Sequence, residues 1–257
     1  MNSSNLSFKY TFSISLAGIP IQISCDYEEN YRFFQDYLTK EDPVFIVCPN
    51  SEQYNAMLVR YNQTDNNEGR APSLRPDYFL ENSLIHEQLA EKLIDHNVLL
   101  MHGSALCIDQ KAYLFTAKSG TGKSTHAKYW REVFGNRVQM INDDKPLLKI
   151  EADKVTVYGT PWNGKHHLGS NTSAELKSII WLNRGEQNRI KPMSKSDAFP
   201  VILSQAYTSA DPQKMEKILA LEKQLMQTVD FYQLFCNMSP EAAQVAYDGM
   251  DRTLSSF

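Results

Sequence analysis

Residues 117–125 read Ala-Lys-Ser-Gly-Thr-Gly-Lys-Ser-Thr, and downstream an apolar run ends in two carboxylates, Asp143-Asp144. Glycines at these positions let backbone N–H groups approach phosphate oxygens, and a helix opening at the lysine adds the positive end of its dipole. In that arrangement Lys123 would reach the β- and γ-phosphates and the Ser124 hydroxyl would ligate a divalent metal. Ser119, Gly120, Thr121, Gly122, Lys123, Ser124 and Thr125 are therefore expected to cradle a nucleoside triphosphate. The full phosphate-loop pattern has glycine five residues before Gly122, where this chain has Ala117.

Two adjacent carboxylates at a strand end project differently and can do different jobs. One can hold Mg²⁺, directly or through water, while the other takes a proton from an attacking hydroxyl. A solvated acidic turn before Lys145-Pro146 is the bland alternative. His102-Gly103 ends a strand-like run just ahead of the strand that feeds the loop. Its histidine is a candidate for catalysis or for pairing with an aspartate. His126 falls in the helix after the loop, on its surface or in the core. His166-His167 follow Gly159-Thr160-Pro161-Trp162-Asn163-Gly164-Lys165, and no partner at helical spacing makes them a metal pair. Lys165 is expected to meet phosphate or acceptor, and Thr160–Lys165 to belong to an acceptor site.

Composition narrows the classes. At 257 residues the chain has room for one large domain, or for a catalytic domain with a smaller module. A formal net charge of −4 leaves no electrostatic footprint for nucleic acid or an anionic membrane. No apolar run approaches the roughly 20 residues that span a bilayer. The opening Met-Asn-Ser-Ser-Asn-Leu-Ser lacks a basic stretch followed by an apolar core, so the expected location is cytoplasmic. Cys25, Cys48, Cys107 and Cys236 have no paired spacing, and buried free thiols are expected.

The elements that must position these residues follow from period. Phe8, Tyr10, Phe12, Ile14 and Leu16 alternate, and after Ala17-Gly18 the alternation resumes through Ile19, Ile21, Ile23 and Cys25, predicting a hairpin. Val44–Cys48 and Met57–Tyr61 read as further strands, and the polar stretch 62–77 as a loop. Ile85, Leu89 and Leu93 predict a helix over Ser83–His96. Strands are expected at Val98–Cys107, Ala112–Ala117, Val138–Asn142, Leu147–Ile150, Val155–Tyr158, Ser178–Leu182 and Phe231–Cys236. Helices are expected after the loop (Ala127, Trp130 and Phe134 on one face, Gly135 the stop), over Lys214–Met226, and from Ser239-Pro240-Glu241. A β-rich module over 1–78 thus precedes a catalytic α/β domain over 79–257.

His102-Gly103, then Ser119-Gly120-Thr121-Gly122-Lys123-Ser124, then Asn142-Asp143-Asp144 together resemble the kinase domain of bacterial HPr kinase/phosphorylase, which shares its fold with phosphoenolpyruvate carboxykinase. The resemblance covers roughly residues 83–250. Gly159-Thr160-Pro161-Trp162 and Cys236-Asn237-Met238-Ser239-Pro240-Glu241 look like a divergent branch that includes kinases of ribosomal-peptide biosynthesis. The resemblance implies Asp143 as general base, Asp144 assisting Mg²⁺ with Ser124, and His102 against the catalytic aspartate. The glycine-flanked Glu-x-Arg-Gly segment of typical HPr kinases does not follow the double aspartate. HPr as acceptor and phosphorolysis are therefore not implied.

The expectation is an α/β P-loop kinase using ATP and Mg²⁺ on a hydroxyl, serine foremost, of a peptide, protein or small molecule. Catalytic roles fall to Asp143, His102, Lys123 and Lys165, and self-association is left open. A second reading is a nucleotide-gated peptide-binding protein with little turnover. A carboxykinase fits less well, because no further basic cluster for its substrate is visible.

Overall fold

A computed structural model describes residues 8–69, 71 and 75–252. The chain has a mixed α/β fold and divides into two compact units, Met1–Lys92 and Leu93–Phe257. In the first, β1 (Tyr10–Leu16) and β2 (Ile19–Cys25) form the expected hairpin, with Tyr10 opposite Cys25 and Leu16 opposite Ile19. Ala17 and Gly18 turn it at φ 52° and 71°, the left-handed pair that matches strand twist. Ile14, Leu16, Ile19, Ile21 and Ile23 are buried, as alternation requires. A third strand, β3 (Phe45–Val47), runs parallel to β2 at the sheet's edge. The short helix α1 (Glu28–Phe33) follows the hairpin.

Met57–Tyr61 is not a strand. It lies inside α2 (Ser51–Asn67), which also takes in the first six residues of the expected 62–77 loop. Residues 70 and 72–74 of that loop lie outside the described residues. Asn50 and Gln53 form a reciprocal capping box that starts α2. Tyr54, Met57 and Tyr61 then share one helical face against Leu80 and Leu84 of α3 (Asp77–Leu93). A five-residue apolar window is too short to separate periods of 2 and 3.6, and the cap upstream was the missed signal. The expected module boundary at 78 falls within α3. Buried Glu81 of α3 accepts from Asp26 N (2.7 Å), Tyr27 N (3.3 Å) and Asn30 Nδ2 (2.7 Å), so this helix belongs with the hairpin.

The second unit is built on a nine-stranded mixed sheet. Its strands are β4 (Val98–Leu100), β5 (Ser104–Ile108), β6 (Lys111–Thr116), β7 (Val138–Asn142), β8 (Leu147–Ile150), β9 (Val155–Tyr158), β10 (Ser173–Arg184), β11 (Arg189–Pro192) and β12 (Asp230–Cys236). They run in the order β4-β8-β9-β10-β6-β5-β7, with β12 joining β10 to β11. The pairs of β10 with β6 and with β12 are parallel, and the others are antiparallel. The expected Val98–Cys107 strand is broken, with His102-Gly103 at the break. A Cβ on Gly103 would lie 2.7 Å from Leu114 Cδ1 and 2.8 Å from Phe115 O, so only glycine fits there.

Both faces of the sheet are covered. Ala112 and Leu114 of β6 join the core that packs α5 (Lys195–Gln205) and α6 (Pro212–Thr228), while Tyr113 and Phe115 join the core under α4 (Lys123–Phe134) and α7 (Glu241–Arg252). Helix α5 and strand β11 have no counterpart in the sequence reading. Pro200 inside α5 hides the helix, and a length of only four residues, two of them charged, hides the strand. Of the cysteines only Cys25 is buried; Cys48 is exposed and Cys107 and Cys236 are half-buried, all free.

One buried group is out of place in its surroundings. Glu222 of α6 sits fully buried beside Leu221 and Leu225, and neither carboxylate oxygen has a hydrogen-bond partner among the described residues. Burial pushes its carboxyl up from 4.5 to about 7. Between those pH values the folded chain holds a proton that the unfolded chain has released, so stability falls as pH rises through that window and is flat above it. Glu222→Met should remove this slope and raise stability at pH 8 by up to about 3 kcal/mol. Urea unfolding of both forms at pH 5 and pH 8 reads it, and an unchanged slope would show that Glu222 is not the titrating group.

Candidate active site

Strand β6 ends at Thr116 and runs into the glycine loop, and α4 opens at Lys123 with Gly122 as its N-cap. Gly120 and Gly122 stand at φ 74° and 114°, backbone that other residues adopt only with strain. Ala117 is buried and outside that region, so the departure from glycine there costs nothing. Its carbonyl accepts from Lys123 Nζ at 3.4 Å. The N–H groups of Lys123, Ser124 and Thr125 open the helix, where no preceding turn supplies acceptors, and are available to an anion. Arg184, at the end of β10, donates from Nη2 to Gly120 O at 2.8 Å and braces the loop from 64 residues away.

The carboxylate pair stands where the sequence placed it, directly after β7. Asn142 organises it. Its buried amide donates to Thr160 O (3.1 Å), Thr160 Oγ1 (3.0 Å) and Asn163 Oδ1 (2.8 Å), and its Oδ1 accepts from Asp144 N (2.8 Å) and Lys145 N (2.7 Å). The two aspartates then part company. Asp143 is buried, and its Oδ1 accepts from Ser104 Oγ at 2.5 Å. Asp144 is half-exposed, with Oδ1 3.5 Å from His102 Nε2. The resemblance set His102 against Asp143; the geometry sets it against Asp144, and Ser104 takes the place beside Asp143. His102 is itself fixed by its N–H to Gln205 O (2.8 Å) and by Thr116 Oγ1 donating to its carbonyl (2.9 Å).

These residues share one cleft of about 480 Å³. It is lined by His102, Ser119, Gly120, Gly122–Thr125, Asp143, Asp144 and Gly164–His166. Thr121 does not line it and belongs instead to a neighbouring second cleft. Lys165 is exposed at the rim. Thr160, expected in an acceptor site, is instead fully buried and bonds Lys145 O at 2.8 Å, a structural role behind the aspartates. His126 is a core residue: its Nε2 accepts from Trp130 Nε1 at 2.9 Å, its ring meets Phe115 edge-on, and burial pushes it down to about 3.

Burial lowers His102 below its ordinary value, and Lys145 and Lys123 add to the effect. Burial likewise lowers Lys123. A lysine held in a desolvated cleft favours a polyanionic ligand, which offsets that cost. Sequence reasoning missed Ser104, Arg184 and Gln205, because each reaches the site through chain pairing rather than through a motif. Asn142 was quoted in the motif without a role. Among the described residues no group of three or more His, Cys, Asp or Glu is arranged to hold an ion. Ser124 and Asp144 offer hard oxygen donors on one cleft, the kind Mg²⁺ takes in ones and twos with phosphate and water completing the shell.

No protein-family model matches the chain, and no curated protein matches it. Among solved structures it is similar to the Hpr(Ser) kinase/phosphatase from Coxiella burnetii, at 13% identity and a TM-score of 0.37, over 60% of this chain and 97% of that one. A likeness of that size carries no functional weight, so the chemistry rests on the residues themselves.

The hub at Asn142 makes a direct prediction. Asn142→Leu keeps the branching of the side chain but strands the N–H groups of Asp144 and Lys145, each unmade bond costing about 1–3 kcal/mol. A loss of about 2–4 kcal/mol in denaturant unfolding is expected. A loss under half of that would mean the turn is held by other contacts.

Proposed function

We propose that the chain is a Mg²⁺-dependent kinase that moves the γ-phosphoryl group of ATP to a hydroxyl, serine foremost, on a peptide, protein or small molecule. The observation that carries this reading is Asp143: a buried carboxylate opening on the same cleft as the glycine loop. A site that only held nucleotide would have no use for it. One oxygen of Asp143 is occupied by Ser104, leaving Oδ2 to receive a proton. The acceptor oxygen loses its proton to Oδ2 and bonds to the γ-phosphorus. The bond to the β–γ bridging oxygen breaks, ADP leaves, and Asp143 returns the proton to water.

Lys123 and the opening N–H groups of α4 neutralise charge on the phosphates, and positioning supplies most of the remainder. Ser124 and Asp144 would hold Mg²⁺, which when bound draws charge from the β- and γ-oxygens. His102 orients Asp144, and Lys165 stands at the rim where acceptor or transferred group would pass.

A second reading, a nucleotide-gated binder of peptides, is favoured by the first unit. There β3 lies at the sheet edge with Ile46 49% exposed and the preceding Val44 57% exposed, a surface on which an extended peptide could add a strand. ADP formation with and without a serine-bearing acceptor separates the two.

Under the kinase reading, Asp143→Asn should keep Mg·ATP affinity near wild type and cut turnover by about 10²–10⁴-fold. Asp144→Asn should weaken the metal-dependent part of nucleotide binding. Wild-type turnover in Asp143→Asn would refute the base role. Swapped phenotypes would make Asp144, the carboxylate paired with His102, the base. Lys123→Ala should abolish triphosphate binding in calorimetry without loss of folding, and unchanged affinity would sink the phosphate-loop assignment.

A further inference from the structure

The glycine loop separates two clefts, and the proposed reaction uses only one. The second, of about 420 Å³, is lined by Thr121, Gly122, Thr125, His126, Tyr129, Arg184, Gly185, Cys236, Asn237 and Met238. Gly122 and Thr125 line both, so the clefts meet across the first turn of α4. We infer that this second cleft is the nucleoside subsite, taking the base and ribose of the nucleotide whose phosphates lie on the loop; the inference rests on the kinase reading above.

Three observations converge on it. The first is direction. Transfer requires the γ-phosphate to face Asp143, in the first cleft, so the nucleoside at the other end of the triphosphate must leave the loop away from Asp143. The second is chemistry. The first cleft is lined by His102, Asp143, Asp144, Lys123 and Lys165, whereas the second has a single formal charge, Arg184, among aromatic, thioether and small residues. A base needs an apolar or aromatic face, and Tyr129 and Met238 supply one.

The third observation is Met238. It is 80% exposed, the most exposed large apolar side chain among the described residues, in the segment Cys236–Glu241 that the proposed reaction leaves unused. That segment is built to hold it there. Asn237 N donates to Asn188 Oδ1 at 3.0 Å, Ser239 Oγ donates to Asn237 Oδ1 at 2.7 Å, and Asn237 Nδ2 donates to Glu186 O at 3.3 Å. A methionine presented to solvent by a hydrogen-bonded turn, over a cleft contiguous with a phosphate loop, has the placement of a lid for a flat ring. Arg184 bonds the loop at Gly120 O and lines this same cleft, at the junction where the phosphate nearest the ribose would lie.

The test compares ATP with inorganic tripolyphosphate, which carries the phosphates and no nucleoside. Wild-type protein with Mg²⁺ should bind both, ATP more tightly. Met238→Glu, at an exposed position that should not disturb folding, should weaken ATP about tenfold and leave tripolyphosphate within twofold, the scale of losing one base-stacking contact. In parallel, ATP but not tripolyphosphate should protect the half-buried Cys236 from alkylation at pH 9, read by mass spectrometry. Equal affinity of wild type for the two ligands, or unchanged ATP affinity in Met238→Glu together with unprotected Cys236, would overturn the subsite while leaving the phosphate loop in place. Failure of both ligands to bind would overturn the kinase reading and the subsite with it.

Discussion

The side chain of Asn142 is the constraint on which the candidate site depends. A buried amide must satisfy both its donors and its acceptor, and here its two ends fix two different segments of the site. Its oxygen draws in the N–H groups of Asp144 and Lys145, which turns the chain sharply at the end of β7. Its nitrogen ties that turn to Thr160 and Asn163 beyond β9. The turn is what sends Asp143 inward beneath Ser104 and Asp144 outward to His102. Two identical side chains thereby acquire different environments, one buried and one half-solvated. Different environments are the condition for different roles in acid–base chemistry.

Topology explains why these parts meet at one edge. β6 and β7 both pair antiparallel with β5, so they run in the same direction and their C-terminal ends arrive together. The glycine loop leaves one and the aspartates leave the other. β5 runs the opposite way, so its beginning arrives at that same edge and brings His102, Gly103 and Ser104 with it. Gly103 has to be glycine because the chain passes hard against Leu114 and the Phe115 carbonyl on the neighbouring strand. Three segments far apart in sequence become one cleft through strand direction alone.

Much of this was legible in the sequence and some was not, for identifiable reasons. The hairpin of the first unit, the glycine loop, the strand leading into Asp143 and the helix after Gly122 were readable because their signals are local: alternation, glycines at fixed spacing, an apolar stripe. Met57–Tyr61 was misread because five residues cannot distinguish strand from helix, whereas Asn50 and Gln53 upstream could. Helix α5 was missed because Pro200 interrupts its pattern, although Ser194 caps it, accepting from Asp197 N at 3.2 Å. That His102 stands beside Asp144 was not readable, because direction of side chains at a turn is decided by hydrogen bonds to Asn142, which no spacing rule contains. Ser104, Arg184 and Gln205 were invisible for the same reason: each enters through a partner strand or through the last residue of α5.

The electrostatics of the cleft give the arrangement its sense. Lys123 and His102 are both held below their ordinary values, chiefly by burial, so charging either one in this cleft comes at a cost. Carboxylates of Asp143 and Asp144 line the same space and offset some of it. A cleft meant only to be stable would gain by exchanging these groups for packed apolar ones of similar volume. Keeping cations and anions together in half-solvated positions is useful where a ligand brings further negative charge that must be bound at one end and redistributed at the other. Phosphoryl transfer makes that demand, since charge moves from the attacking oxygen through the γ-phosphoryl group to the leaving oxygen. Elsewhere in the second unit the sheet buries Ala112, Leu114, Tyr113 and Phe115 in unremarkable cores, and that rigidity is what lets the edge hold its charged groups in place.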